Sequence, residues 1–361
     1  MPMPDFWKNR KVLITGHTGF KGTWLVHWLK LLGAQVTGFA LAPPTSPNLF
    51  ELTRASENMI SIQGDIRDGA SVRNIVSEVR PEIIFHLAAQ ALIRQSYSHP
   101  VETFSTNVMG TVHLLEAVRV TGGVRAVVNI TSDKCYENRE WVWGYRETDA
   151  MGGFDPYSCS KGCSELITAS YRNAFFNPDR YDQHGVGLAS ARAGNVIGGG
   201  DWAEDRLVPD IVKAFMQERT VEIRCPNAVR PWQHVLEPLS GYLRLAEKLY
   251  IEGSRYAESW NFGPSDSDAR PVGWVVEQMA KQWGEKAEHV IHTQPHLHEA
   301  GFLKLDCSKS RYLLGWVPRL RLDEALQWTV NWYKEYARNP RTCREMVEKN
   351  IFQYQAIPTI L

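Results

Sequence analysis

Tyr157 and Lys161 stand four residues apart, one turn of a helix, so they share a face. A lysine ammonium beside a phenol favours the ionised phenol near neutral pH, which makes the pair a general base. Earlier in the chain Thr131-Ser132-Asp133-Lys134 follows Ala126-Val127-Val128-Asn129-Ile130, an apolar run that reads as a buried strand. The strand's carboxyl end then delivers a hydroxyl, a carboxylate and an amine, and in an open parallel α/β sheet that end is where ligands sit. The spacing predicts a tyrosine base that starts an oxidation, with a second acid/base pair beside it.

These groups need a scaffold. Lys11–Thr15 is a β-rich run that ends at Gly16-His17-Thr18-Gly19-Phe20-Lys21-Gly22, and Trp24, Leu25, Trp28, Leu29, Leu31 and Leu32 then recur at helical spacing. Glycines bridging a strand and a helix read as a phosphate cradle, with the pyrophosphate on the helix N-terminus. The alternative, a purely structural turn, is weakened by the strand before and the helix after. The second strand, Gln35–Leu41, ends without an acid for an adenosine ribose, and no Arg or Lys follows promptly for a 2′-phosphate; this position leaves NAD and NADP undecided. A third strand from Met59 ends at Asp65, placed to meet an adenine amino group or, alternatively, to cap the helix from about Gly69. Glu82–Gln90 gives a fourth buried strand running into Ala88 and Ala89, small enough for a cofactor to lie flat, with His86 read as a core histidine. Helical patterning covers Pro100 to Thr121 and carries Asn107.

Alternating strands and helices predict an α/β protein with a Rossmann-type doubly wound parallel sheet and right-handed crossovers. Val186–Arg192 is a sixth strand, and the glycine-rich stretch from Gly194 to Asp201 suits close contact with a second diphosphate. Asn195 is either a ligand-facing side chain there or a residue of a left-handed turn. Arg230 offers a planar fork to a pyrophosphate or forms a surface salt bridge; Arg206 is a weaker candidate of the same kind. Ser259–Phe262 reads as a strand, and Val272–Trp283 and Leu322–Tyr336 as helices of a smaller C-terminal α/β domain. The expected division is residues 1–190 for the dinucleotide, with segments near 228–260 returning to it, and 191–361 mainly for the second ligand. The thirteen tryptophans read mostly as core and interface, with Trp202 or Trp232 as candidates to flank a base or sugar, and residues 340–361 read as a mixed tail that could dock on a partner subunit. His292, His296 and His298 read as loop histidines, because no carboxylate or cysteine completes a ligand set at short spacing; no metal is expected.

Composition narrows the classes. The 361 residues are 43% hydrophobic and 22% charged, ordinary for a globular chain with a sizeable core. Lys+Arg and Asp+Glu both total 40, so no basic excess suggests nucleic acid or an anionic membrane. Six scattered cysteines without a Cys-x-x-Cys pair fit a reducing cytoplasm. Met1–Arg10 has no long apolar stretch and nowhere do eighteen apolar residues run uncharged, so a soluble, unsecreted protein is expected.

Gly16-x-x-Gly19-x-x-Gly22, Asp65-Ile66, Leu87-Ala88-Ala89-Gln90, Asn107, Thr131-Ser132-Asp133, Tyr157-x-x-x-Lys161, Leu305-Asp306-x-Ser308-Lys309 and Leu314-Gly315-Trp316 together resemble the extended short-chain dehydrogenases/reductases that act on sugar nucleotides. The resemblance runs from about residue 8 to 338. It is nearest to the nucleotide-sugar 4,6-dehydratases and, through Thr131 to Asn138, Ala193 to Trp202 and Arg230 to Val235, to the branch that acts on CDP-glucose. It implies NAD as cofactor, held by Gly16, Thr18, Gly19, Phe20, Gly22, Asp65, Ile66, Leu87, Ala88, Ala89, Gln90, Asn107, Thr131, Tyr157 and Lys161. It also implies a homodimer or homotetramer built on the Tyr157 helix and its neighbour. Tyr157 would take the proton of the sugar 4-hydroxyl as hydride leaves C4, Ser132 would hold that hydroxyl, and water would then be lost across C5 and C6. The dTDP-glucose branch carries Asp-Glu after its threonine, whereas this chain has Asp133-Lys134. Asp133 would be the acid for the 6-hydroxyl and Lys134 the base for C5, or Lys134 would only salt-bridge Asp133 or a phosphate. Asn195, Arg206 and Arg230 would bind the sugar nucleotide. A 4-epimerase needs the tyrosine and lysine but no elimination pair; a non-catalytic nucleotide sensor needs neither, and both are present.

Overall fold

Runs of four to seven residues, rich in apolar side chains and most of them closed by a glycine or a small residue, form a central sheet in the computed structural model. It describes residues 1–223, 225–284, 287–291 and 301–358, so His292, His296 and His298 lie outside the described residues. The strands are β1 (Lys11–Thr15), β2 (Gln35–Ala40), β3 (Ile60–Gln63), β4 (Ile83–His86), β5 (Ala126–Ile130), β6 (Gly187–Ala193) and β7 (Ser259–Phe262). Their order is β7-β6-β5-β4-β1-β2-β3, all parallel, with Val12 opposite Val36 on one side and Ile83 on the other. The third strand stops at Gln63, short of Asp65.

Strand alternation supplies two cores. Val12, Ile14, Phe85 and Val128 face one layer of helices, and Leu13, Ile84, Val127 and Leu188 face the other, as a parallel sheet buried on both sides requires. The helices that matter for the site are α1 (Phe20–Leu31), α2 (Gly69–Val79), α3 (Gly110–Thr121), α4 (Pro156–Ala174), α5 (Leu207–Met216) and α6 (Leu236–Glu252). In α4, Pro156 occupies the first turn and Asp155 caps it by accepting from Ser158 N at 2.9 Å, a start pre-set by proline's φ and an acid at the positive end. The helical pattern over 100–121 is interrupted: Ser105–Met109 is a π-turn that carries Asn107, and such turns concentrate at functional positions.

After β6 the chain builds a smaller α/β layer from short pairs: Val196–Ile197 with Gln233–His234, Val229–Pro231 with Ala269–Pro271, and Val221–Ile223 with His289–Ile291. Helices α7 (Val272–Trp283) and α8 (Leu322–Arg338) pack there. One expectation is corrected, and the tail is ordered on its own chain: α9 (Cys343–Ala356) buries Cys343, Val347, Ile351 and Tyr354 there, and the Tyr354 hydroxyl donates to Glu237 at 2.7 Å. Trp202 and Trp232 do not line a ligand site; Trp202 packs on Tyr333 and Tyr336, and Trp232 Nε1 donates to the Arg270 carbonyl at 3.1 Å, both rings being buried. All six cysteines are free thiols, and among the described residues no helix is long and apolar enough to cross a membrane.

Candidate active site

The strand order reverses between β1 and β4, and the crevice beyond the carboxyl ends of such a switch point is where ligands bind. Gly16 there has φ +77, and a Cβ on it would lie 2.7 Å from Ala88 N; one on Gly22 would drive into the Gly16 carbonyl. The turn therefore presses against the loop after β4. Gly19 begins α1 with no side-chain cap, so the amides of its first turn face the crevice, a site for a pyrophosphate. Leu87, Ala88 and Ala89 are half-buried opposite it, and Ala88 N donates to Thr15 Oγ1 at 3.2 Å. Thr18 Oγ1 donates to the Leu41 carbonyl at 2.9 Å, fixing the rim. Asn107 clamps the same loop: Gln90 N donates to its Oδ1 at 2.8 Å while its Nδ2 reaches Gln90 O at 2.9 Å and Ser160 Oγ at 2.8 Å. The π-turn thus ties the cofactor loop to α4. His86 is a core residue, with Nδ1 2.7 Å from Thr15 Oγ1 and its pKa pushed down to about 3 by burial and Lys161.

At the far edge of the cradle Ile66 is buried against Gly110. Asp65 does not cap α2; Asp68 does, accepting from Ala70 N and Ser71 N at 3.0 and 3.2 Å. The Arg67 guanidinium grips Asp65 through Nε at 2.8 Å and holds its carboxyl below the usual range.

The catalytic turn leaves β5 at Thr131. Lys134 N donates to Ser132 Oγ at 3.2 Å and Ser132 Oγ donates to Asp133 Oδ1 at 3.0 Å, closing one tight turn over Asp133–Cys135. Asp133 is 2% exposed, and its Oδ2 has no hydrogen-bond partner among the described residues. Burial pushes this carboxyl up, against the pull of Lys134, Ser132, Arg230 and Lys21; an acid that keeps its proton can give it to a leaving hydroxyl. Gly194 is what lets the second glycine loop come close, since a Cβ there would sit 3.1 Å from Asp133 Oδ2.

Tyr157 and Lys161 are 8% and 6% exposed on α4. In the chain by itself, burial works against the ionised phenol that the spacing predicts. Burial pushes Tyr157 up to about 12, opposed by a hydrogen bond with Ser132 and by Arg206; burial and Lys21 push Lys161 down to about 7. Desolvation favours the neutral form of both, and Lys161 Nζ donates to the Ile130 carbonyl at 3.2 Å. Spacing placed the two on one face; burial, which spacing does not report, works against a charge on either.

Around the second loop, Asn195 is half-buried, its carbonyl accepts from Gln233 N at 2.9 Å, and it is not in a left-handed conformation, which removes that alternative. Arg230 is 5% exposed and acts on Asp133, so it is not a surface salt bridge. Arg206 precedes α5, pairs with Asp201 at 2.9 Å and acts on Tyr157. The fold therefore gathers Ser132, Asp133, Lys134, Tyr157, Lys161, Arg206 and Arg230, and leaves Asp65 and Ile66 at the outer end of the cradle. One member was missed in the sequence: Lys21, on the first turn of α1, pushed down to about 8 by burial and Arg206 while Asp133 and Asp201 pull the other way. Its signal was a lysine between the second and third glycines, where a first-turn side chain faces the crevice. Asp201, in the second loop, was quoted only as part of a motif.

A family model described as GDP-mannose 4,6 dehydratase matches residues 13–329. The chain belongs to that family. Within this family of sugar-nucleotide dehydratases, the chain is 58% identical over 334 residues to CDP-glucose 4,6-dehydratase of Salmonella typhimurium, covering 92% of this chain and 93% of the relative. Among solved structures it is similar to UDP-glucose 4-epimerase of Thermotoga maritima with UDP-glucose, at TM-score 0.76 and 25% identity over 90% of this chain and 98% of that one. The dTDP-glucose 4,6-dehydratase of Bacillus anthracis in complex with NAD matches in fold, at TM-score 0.75 and 22% identity over 90% and 97% of the two chains. Dehydratase and epimerase relatives thus share the fold.

Proposed function

We propose that the protein is an NAD-dependent hydro-lyase that converts CDP-D-glucose to CDP-4-keto-6-deoxy-D-glucose and water. The observation that carries this is the buried Ser132-Asp133-Lys134 turn facing Tyr157 and Lys161 in a chain 58% identical, over 92% of its length, to a CDP-glucose 4,6-dehydratase. NAD, held by the Gly16–Gly22 cradle and the Leu87–Gln90 loop, would supply the hydride acceptor for C4 and the hydride donor for C6, and its oxidised ring would add a positive charge that favours the phenolate.

Tyr157 removes the 4-hydroxyl proton, with Ser132 holding the same oxygen and Arg206 helping to lower the phenol's pKa. The resulting 4-keto group acidifies C5–H. Lys134, at the open end of the turn, takes that proton, and Asp133 protonates the departing 6-hydroxyl, so water leaves across C5 and C6. Arg206, Arg230 and Asn195 would hold the diphosphate end of the sugar nucleotide. An epimerase has no leaving hydroxyl to protonate, so a buried carboxyl pushed up at position 133 favours dehydration. The division into a dinucleotide part before residue 190 and a mainly sugar-nucleotide part after it belongs to the same proposal.

The finer setting is proposed on physical grounds. Exposed Val101, Met109, Leu166 and Phe175 lie on the Pro100–Met109 segment and α4, an apolar face suited to a homodimer or a tetramer built from it. Six free thiols suit a reducing cytoplasm. The deciding experiment uses CDP-glucose deuterated at C4: deuterium is expected at C6 of a product lighter by one water, with no net change in nicotinamide. Deuterium lost to solvent, or stoichiometric use of nicotinamide, overturns the reading.

A further inference from the structure

The turn that carries the elimination pair is held at both ends by one buried ion pair. Glu165 lies one helical turn beyond Lys161 on α4 and Arg192 lies on β6, 3% and 2% exposed. Arg192 Nη2 donates to Glu165 Oε2 at 2.7 Å. Glu165 Oε1 accepts from the hydroxyl of Thr131, the residue at which the turn leaves β5, and Oε2 also accepts from Ser190 Oγ at 2.6 Å. The other half of the pair holds the other end: Arg192 Nη1 donates to the Tyr136 hydroxyl at 2.7 Å, and its guanidinium lies 5.0 Å from that ring's centroid. Tyr136, directly after the turn, donates in its own right to Asn261 Oδ1 on β7 at 2.7 Å.

Burying two charges costs more than their attraction returns unless the remaining hydrogen-bonding positions are filled, and an apolar pair of the same volume is often as stable. Here Thr131 and Tyr136, which border the catalytic turn, fill two of those positions; Ser190 Oγ, Ser259 Oγ and the Glu147 carbonyl fill others, and Arg192 Nε has no hydrogen-bond partner among the described residues. We propose that Glu165 and Arg192 are a positioning pair for the dehydration: they fix the Ser132–Lys134 turn against the Tyr157–Lys161 helix, so that oxidation at C4 and elimination across C5 and C6 act on one bound sugar. The inference rests on the function proposed above.

The pair has an electrostatic side as well. Lys161 is faced by Lys21 from α1, Cys135 from the catalytic turn, His86 from β4 and Glu165 from its own helix. Glu165 is the carboxylate that favours its ammonium, so removing that charge lowers the pH at which Lys161 loses its proton.

The test compares Glu165→Gln, Glu165→Asp and Thr131→Val with the wild-type holoenzyme on CDP-glucose, with melting temperature measured alongside. Glu165→Gln is expected to lower kcat by about 100-fold, the scale of a 1 Å misplacement, with KM within about 3-fold, and to move the alkaline limb of the pH profile to lower pH. Glu165→Asp should restore the limb and part of kcat. Thr131→Val, which keeps both charges, should lower kcat by about 10-fold and leave the limb in place. A folded Glu165→Gln with wild-type kcat and an unmoved limb overturns the proposal, as does a kcat loss accounted for by unfolded protein. Should Glu165→Gln fail to fold, Thr131→Val decides, and an unchanged kcat overturns the proposal. A wild-type enzyme that does not dehydrate CDP-glucose defeats the function instead, and leaves the two failures distinguishable.

Discussion

The cradle at Gly16–Gly22 and the catalytic turn at Thr131–Tyr136 both sit at carboxyl ends of neighbouring parallel strands, yet they are held in different ways. The cradle is held by backbone sterics: a left-handed Gly16 against Ala88, and Gly22 against the Gly16 carbonyl. The turn is held by side chains from distant parts of the chain, Glu165, Arg192 and Asn261, and its acid is tuned by burial and by Lys134, Arg230 and Lys21. Damage to the first is therefore steric and independent of pH, whereas damage to the second is electrostatic and changes with pH.

The largest effect expected is at the turn's partner. Tyr157→Phe removes the base without changing the fold and should lower turnover by about 10³- to 10⁴-fold, with NAD still bound by titration calorimetry. Lys134→Ala comes next, with a loss of about 10²- to 10³-fold; in single turnovers reduced nicotinamide should still form, because oxidation does not need this residue. An unimpaired elimination rate would show that Lys134 only salt-bridges. On the cradle side, Gly22→Ala should weaken NAD binding by about 100-fold, or about 2.7 kcal/mol, by the same factor at pH 6 and pH 8. A pH-dependent loss would blur the contrast between the two regions.

The smallest effect lies outside both regions and concerns stability. Glu237 accepts from Arg319 N, Leu320 N and the Tyr354 hydroxyl, and burial pushes its carboxyl up to about 7. A carboxyl raised in the folded state favours folding below its ordinary value near 4.5 and loses that contribution as pH rises through 7. Glu237→Gln should therefore flatten the fall in melting temperature between pH 5 and pH 8, and at pH 8 should be more stable than wild type by about 1–2 kcal/mol. A variant equally sensitive to pH would show that another group controls this range.

The cradle was the more legible of the two regions because its cause is local. A β-rich run, three glycines and a helical stripe lie within about twenty contiguous positions, and β1 and the start of α1 fall where those residues put them. Tyr157 and Lys161 were legible for the same reason, since four residues in a helix fix a face. Asp65 was harder, because a nearby arginine competes for its carboxylate, and neither Trp202 nor Trp232 could be separated from core by type alone. The packing of the tail on its own chain was not legible, because the stripe Cys343, Val347, Ile351 and Tyr354 is short and mixed with charge, and its partners Glu237 and Trp28 lie a hundred residues or more away.

Taken by itself, the sequence determined the parallel α/β class, the switch-point cradle, and the residue types available for oxidation and elimination, because each follows from periods of two or 3.6 residues and from glycine geometry. Only the tertiary structure decided in which direction Asp133, Tyr157 and Lys161 are pushed, the entry of Lys21 into the site, and the clamp of Glu165 and Arg192 on the catalytic turn. Those depend on desolvation and on contacts between residues far apart in the chain, and neither is written in local spacing.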